Sequence, residues 1–127
     1  QKPLTADEFF DLPRPADGSK LELVRGEVVA MSMPGFEHGE VQLALGSLIR
    51  AFLRTNRIGR VATDTGAVTE RGPDTVRGPD VIYYSKERLP LDRRVVKYPD
   101  QPPDLCVEVV SPTNTKRELY GKLKEYF

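Results

Sequence analysis

Two acidic residues sit where a charge is expensive to keep. In the run Asp104-Leu105-Cys106-Val107-Glu108-Val109-Val110, the two-residue period of a strand puts Leu105, Val107 and Val109 on one face and Cys106, Glu108 and Val110 on the other. An ionised Glu108 between such neighbours loses hydration at a cost of roughly several kcal/mol, so it needs a cation, a cluster of donors or a proton. A solvated sheet face, or pairing with one arginine, is the bland alternative. Asp80 heads the apolar run Val81-Ile82-Tyr83-Tyr84 and follows Pro79, which biases the residue before it toward extended backbone. If the two strands run antiparallel, the head of one lies beside the tail of the other, and Asp80 and Glu108 become neighbours. Two carboxylates that close repel unless something positive lies between them, and hard oxygen donors with open positions suit Mg²⁺ or Mn²⁺. Asp80 could instead merely cap a turn. Gly72-Pro73-Asp74 repeats the tripeptide Gly78-Pro79-Asp80 but continues into Thr75-Val76-Arg77-Gly78, and reads as a turn only.

Three further residues could join this pair. At about 100° per residue, Lys122 lies on the edge of the apolar stripe of a C-terminal helix, one turn before Tyr126, whereas Lys124 points to solvent; an ordinary surface lysine is the alternative for Lys122. His38, the only histidine, opens the long helix in the angular sector of Val41, Gln42 and Leu45, where it could accept a proton, position water or contact substrate. A core or capping histidine would satisfy the same pattern. Glu22, in Leu21-Glu22-Leu23-Val24, could add a third carboxylate, or be one of the exposed glutamates common in hairpins.

The elements that must hold these residues are legible in outline. Thr5 and Glu8 have capping-box spacing, which predicts a short N-terminal helix followed by a loop. Lys20 to Met33 alternates about Arg25-Gly26, which predicts a β-hairpin. From His38 to about Thr55, Val41, Leu45, Leu48, Ile49, Phe52 and Leu53 recur at helical spacing, predicting the longest helix with one stripe toward a core. Arg60 to Thr69 and Pro79 to Ser85 read as strands joined by the turn-rich Glu70–Asp74. Lys86 to Pro103 is charged and proline-bearing, a long connection without a core element. Asp104 to Val110 is the clearest core strand, stopped by Ser111-Pro112. Thr115 and Glu118 offer a second capping box for a helix whose Leu119, Leu123, Tyr126 and Phe127 share a face.

Composition bounds the rest. The 127 residues suit one compact domain, with 39% hydrophobic and 30% charged residues, a balance that excludes a disordered or membrane-embedded chain. No apolar run approaches the roughly 18 residues of a membrane span, and nothing resembles a signal peptide. The single cysteine, Cys106, reads as a small buried hydrophobe, and a reducing cytoplasm is the expected location. Nineteen basic and nineteen acidic residues cancel, so nucleic-acid binding would need a local patch such as Arg50, Arg54, Arg57 and Arg60. The runs Lys86-Glu87-Arg88 and Asp92-Arg93-Arg94 read as solvated loop. The chain begins without Met and stops inside the C-terminal helical pattern, which is read as truncation at that end. Zinc-ligand spacing, a phosphate-cradling glycine loop and an activated serine or cysteine are all missing.

Taken together, Glu22-Leu23-Val24-Arg25-Gly26-Glu27, His38 ahead of the long helix, Arg77-Gly78-Pro79-Asp80-Val81, Val107-Glu108-Val109-Val110-Ser111-Pro112-Thr113, and Lys122 four residues before Tyr126 resemble the PD-(D/E)xK nuclease superfamily. Within it they resemble the bacterial Uma family of restriction-endonuclease-like proteins. The resemblance spans nearly the whole chain. It implies an α/β fold of the α+β kind: a restriction-endonuclease-like core whose central mixed sheet carries an antiparallel meander, flanked by helices and preceded by a helix and a hairpin. It also implies Asp80 and Glu108 as ligands of Mg²⁺, with Mn²⁺ as substitute, and hydrolysis of phosphodiester bonds in DNA. The position two after Glu108 is Val110, not lysine; the Uma-like pattern sets its lysine on the following helix, which gives Lys122 the role of stabilising charge. Two other readings stay open: a nuclease fold that binds nucleic acid without chemistry, and a protein-interaction domain. Apolar residues near the sheet edge could support a homodimer, as in many restriction-type enzymes.

Overall fold

The structure, a computed structural model, describes residues 2–110 and Lys124. Along the chain it forms α1 (Ala6–Phe10), β1 (Lys20–Val24), β2 (Glu27–Met31), α2 (Phe36–Thr55), β3 (Gly59–Thr63), β4 (Ala67–Glu70), β5 (Thr75–Arg77), β6 (Val81–Ser85) and β7 (Leu105–Val107). They fall into two compact units: Gln1–Met33 with Gly66–Gly78 and Val95–Pro102, and Pro34–Thr65 with Pro79–Arg94 and Pro103–Phe127. The α+β class and the order of helix, hairpin, long helix and strands are as the sequence implies. The strands divide between two sheets, and every described pairing is antiparallel.

In the first unit the sheet order is β2-β1-β5-β4. The hairpin closes through Arg25 and Gly26 at φ 48° and 82°, the two left-handed residues of a type I′ turn whose twist matches the strands. A Cβ at Gly26 would sit 2.3 Å from Pro3 Cβ, so only glycine fits. The capping box forms as predicted: Thr5 accepts from the Glu8 N–H and Glu8 from the Thr5 N–H. That short helix buries Ala6 and Phe9 against Leu23, Val68 and Val76, with Tyr98 packed alongside. Tyr98 lies in the stretch read as a connection without a core element; its ring centroid stands 5.5 Å from that of Phe10 and 6.1 Å from that of Phe9. Strand β5 was not foreseen, although Thr75 and Val76 are good strand residues; its Val76 pairs with Leu23 on one side and Val68 on the other.

Asp74 ties the start of α1 to this sheet. Its Oδ2 accepts from the Ala6 N–H at 2.8 Å and from Arg71 Nη1 at 3.1 Å. The Ala6 bond above all, helped by Gly72 and Arg71, holds the carboxyl below the usual carboxylate range although burial pushes the other way. A depressed folded-state pKa adds stability above the unfolded value of about 3.9, and that stability is lost as pH falls through the folded value. Asp74→Asn is therefore expected to cost about 1–3 kcal/mol at pH 7, with the gap to the wild type closing below about pH 4, as urea melts at both pH values would show.

In the second unit β6 is central, in the order β3-β6-β7. Val81, Ile82 and Tyr84 are buried, so both faces of β6 are covered, and burial pushes the Tyr84 phenol well above its ordinary value. The predicted Arg60–Thr69 strand is two strands in two sheets, β3 and β4. The break falls at Asp64, in the left-handed region at φ 54°, whose carboxylate accepts from the Gln42 amide. The run read as the clearest core strand is shorter and more exposed than predicted: Asp104 serves as a cap, accepting from the Ser85 N–H at 2.6 Å, and Leu105 is 46% exposed. Cys106 is half-buried and free, its thiol pushed up to about 11 by burial and by the nearby charge of Glu108.

Helix α2 carries Glu37 in its first turn and Arg54 in its last, both complementing the helix dipole. None of its residues is buried. His38, Gln42, Leu45, Ile49 and Leu53 are half-buried, whereas Val41, Leu48 and Phe52 are exposed. Thus the covered stripe is narrower than the hydrophobic periodicity implies. Among the described residues no helix is long and apolar enough to cross a membrane.

Candidate active site

The second unit draws three of the candidate residues together from three elements. The first turn of α2 supplies His38, the residue before β6 supplies Asp80, and the residue after β7 supplies Glu108. Strands β6 and β7 are antiparallel, with Val81 opposite Val107 and Ile82 opposite Cys106. One further step of this register sets Asp80 against Glu108, the neighbourhood expected if the strands ran antiparallel. The backbone confirms the approach: Asp80 Oδ2 accepts from the Val109 N–H at 2.6 Å. The same oxygen lies 3.2 Å from His38 Nε2, with both side chains largely shielded from solvent.

His38 is thereby oriented through Nε2, while its buried Nδ1 has no hydrogen-bond partner among the described residues. An unsatisfied buried polar atom costs about 1–3 kcal/mol. Such an atom persists most readily where something outside the chain completes it.

Glu22 belongs to the first unit, where it is 1% exposed. Its Oε1 accepts from Arg77 Nη1 at 3.0 Å and its Oε2 from the Gly78 N–H at 2.9 Å. The Lys20 ammonium donates to the Gly78 carbonyl. Gly78, two residues ahead of Asp80 in sequence, is thus held through both its N–H and its carbonyl, and Glu22 is not the exposed hairpin glutamate that its alternation allowed. Lys122 lies outside the described residues; Lys124 is helical and exposed, as its angular position predicts.

Two groups escaped the reading of the sequence. The Val109 N–H is a backbone donor that no residue type announces. Arg77 as the partner of Glu22 is the other, because the meeting depends on the pairing of β1 with β5, and β5 reads in the sequence as a turn.

The sequence pattern of the family described as "Uma2: Putative restriction endonuclease" matches residues 6–127. The chain belongs to the Uma2 family. No curated protein matches this Uma2 chain. Among solved structures it is similar to a crystal structure described as a "putative nuclease belonging to DUF820" from Anabaena variabilis, with a TM-score of 0.75 and 23% identity over 98% of this chain and 68% of the other. The Uma2 chain therefore has a nuclease-type fold.

The geometry of the site suits a hard dication. Among the described residues no group of three or more His, Cys, Asp or Glu side chains is gathered as a complete cage. A pair of carboxylates, with other positions left to water and substrate oxygens, is the usual way proteins hold Mg²⁺. Asp80 and Glu108 match that donor set, with no thiolate in it to favour a softer metal.

Proposed function

We propose that this chain is a divalent-metal-dependent endonuclease that hydrolyses phosphodiester bonds in DNA. The observation that carries the reading is the antiparallel register of β6 and β7, with Asp80 tied to the backbone beside Glu108. In it, Asp80 and Glu108 hold Mg²⁺, for which Mn²⁺ substitutes. When bound, such an ion supplies Lewis-acid polarisation of a phosphoryl oxygen and makes water more acidic.

The chain's own residues do the rest. The Val109 N–H and His38 Nε2 fix Asp80 Oδ2, so the carboxylate is held in place before substrate arrives. His38 Nδ1, which has no hydrogen-bond partner among the described residues, hydrogen-bonds water or a substrate oxygen. Lys122 contributes an ammonium charge to the phosphate as negative charge develops. Glu22 acts from its own unit, holding Arg77 and Gly78. The cytoplasm is the expected location.

The test is incubation of the chain with supercoiled plasmid, linear duplex and RNA in Mg²⁺, Mn²⁺ or EDTA. Metal-dependent nicking or linearisation of DNA, lost in EDTA, is the expected result. Cleavage that persists in EDTA contradicts metal dependence, and preferential cleavage of RNA corrects the substrate.

One observation favours a second reading, binding without turnover. Arg50, Arg54 and Arg57 are all exposed near the C-terminal end of α2, a patch the neutral composition does not announce. DNA affinity falling steeply with salt, by about one unit of log–log slope per arginine contact, with no cleavage under any metal, selects that reading.

A further inference from the structure

The outer face of α2 carries a pattern that packing among the described residues does not use. Val41, Ala44, Leu48, Ala51 and Thr55 follow the alternating three- and four-residue spacing of a coiled-coil seam, and the chain leaves all five exposed. Val41 is 40% and Leu48 69% exposed. Apolar rows of this kind mark contact surfaces more often than solvated ones. The seam runs about 20 Å, at 1.5 Å per residue, and carries no charge between Val41 and Thr55.

The residues choose their partner. Along the seam the larger side chains, Val41 and Leu48, alternate with Ala44 and Ala51. In an antiparallel pair of identical seams, each first-position residue faces a fourth-position residue of the other helix. Val41 then meets Ala51 of a second copy, and Leu48 meets Ala44 of that copy. Every central layer thus sets a large side chain against a small one, the arrangement that fills a helix interface without voids.

Charge points the same way. The flanking positions before each first-position residue are Glu40, Ser47 and Arg54, all exposed. In the antiparallel pair these positions face their own kind: Glu40 lies beside Arg54 of the second copy, twice by symmetry, and Ser47 beside Ser47 near the axis. A parallel pair would set Glu40 beside Leu45 and leave Arg54 without an acidic partner. Flanking charges of this sort set orientation and partner choice. The helix dipoles also oppose favourably.

We propose that α2 is a homodimer interface: two copies of this chain join through a two-fold antiparallel α2 pair about Ala44, Leu48 and Ala51. The contact is isologous, so it closes at two copies and does not propagate. It is a narrow seam, and the association is accordingly concentration-dependent.

Sedimentation velocity of the full 127-residue chain from low to high micromolar concentration tests this. A monomer–dimer equilibrium is expected, weakened more than tenfold by Leu48→Glu, which sets a charge against Ala44 of the other copy. Leu43→Glu is the control: Leu43 is 70% exposed but lies on the other flank of α2, and this change should leave the dimer intact. Glu40→Arg and Arg54→Glu should each weaken association, and the double exchange Glu40→Arg/Arg54→Glu should restore it. A chain that stays monomeric throughout overturns the proposal, whether residues 111–127 or solvent cover the seam. Equal sensitivity to Leu43→Glu overturns it as well. Failure of the double exchange to restore association overturns the antiparallel pairing.

Discussion

Asp80→Asn is expected to lower metal-dependent DNA cleavage by at least about 10³-fold while leaving the protein folded. Removing a single pre-positioned group that stabilises transition-state charge costs about 10²–10³ in rate. Asp80 goes further in the proposed function, where its charge is half of the carboxylate pair that would hold the dication. The substitution keeps the shape of the side chain, and an amide oxygen can still accept from the Val109 N–H. The charge-assisted part of that bond, and of the contact with His38, is lost, at about 1–2 kcal/mol of stability. Circular dichroism and a urea melt separate the two effects: near-native unfolding with abolished cleavage is the expected combination. Cleavage within a few-fold of the wild type would remove Asp80 from the site.

Glu22→Ala is expected to act through stability, and strongly. The substitution leaves Arg77, only 15% exposed at its side chain, without its carboxylate and removes the acceptor for the Gly78 N–H. Breaking one half of a buried ion pair costs about 3–5 kcal/mol. That is a large share of the roughly 5–15 kcal/mol by which a domain is stable. A chemical denaturation series should show the midpoint falling steeply, with Glu22→Gln intermediate because its amide oxygen still reaches one donor. A Glu22→Gln protein that melts like the wild type yet cleaves far more slowly would move Glu22 from a supporting role to direct contact with substrate.

How much of this could be read from residues alone varies with the physics involved. The Thr5–Glu8 capping box and the Arg25-Gly26 hairpin form as predicted, because both are decided within four residues by local backbone chemistry. The meeting of Asp80 with Glu108 required only that two apolar runs pair antiparallel, a condition the structure meets. Strand β3 could not be separated from β4 by pattern, since Arg60 to Thr69 reads as one extended run and only the left-handed Asp64 divides it. The exposed side of α2 was illegible for a different reason. Hydrophobic periodicity shows which residues want cover, and nothing in one chain says whether that cover comes from its own sheet or from another molecule. Similarly, alternation set Glu22 on a face of its strand but could not supply Arg77, which is fifty-five positions away in sequence.

Titration of the chain with Mn²⁺, followed by the paramagnetic signal of the free ion, tests the proposed hard-dication site between Asp80 and Glu108 without requiring turnover. The expected result is saturable uptake by the wild type that competes with Mg²⁺ and is lost in both Asp80→Asn and Glu108→Gln. No saturable uptake, or uptake that both variants retain, would contradict it.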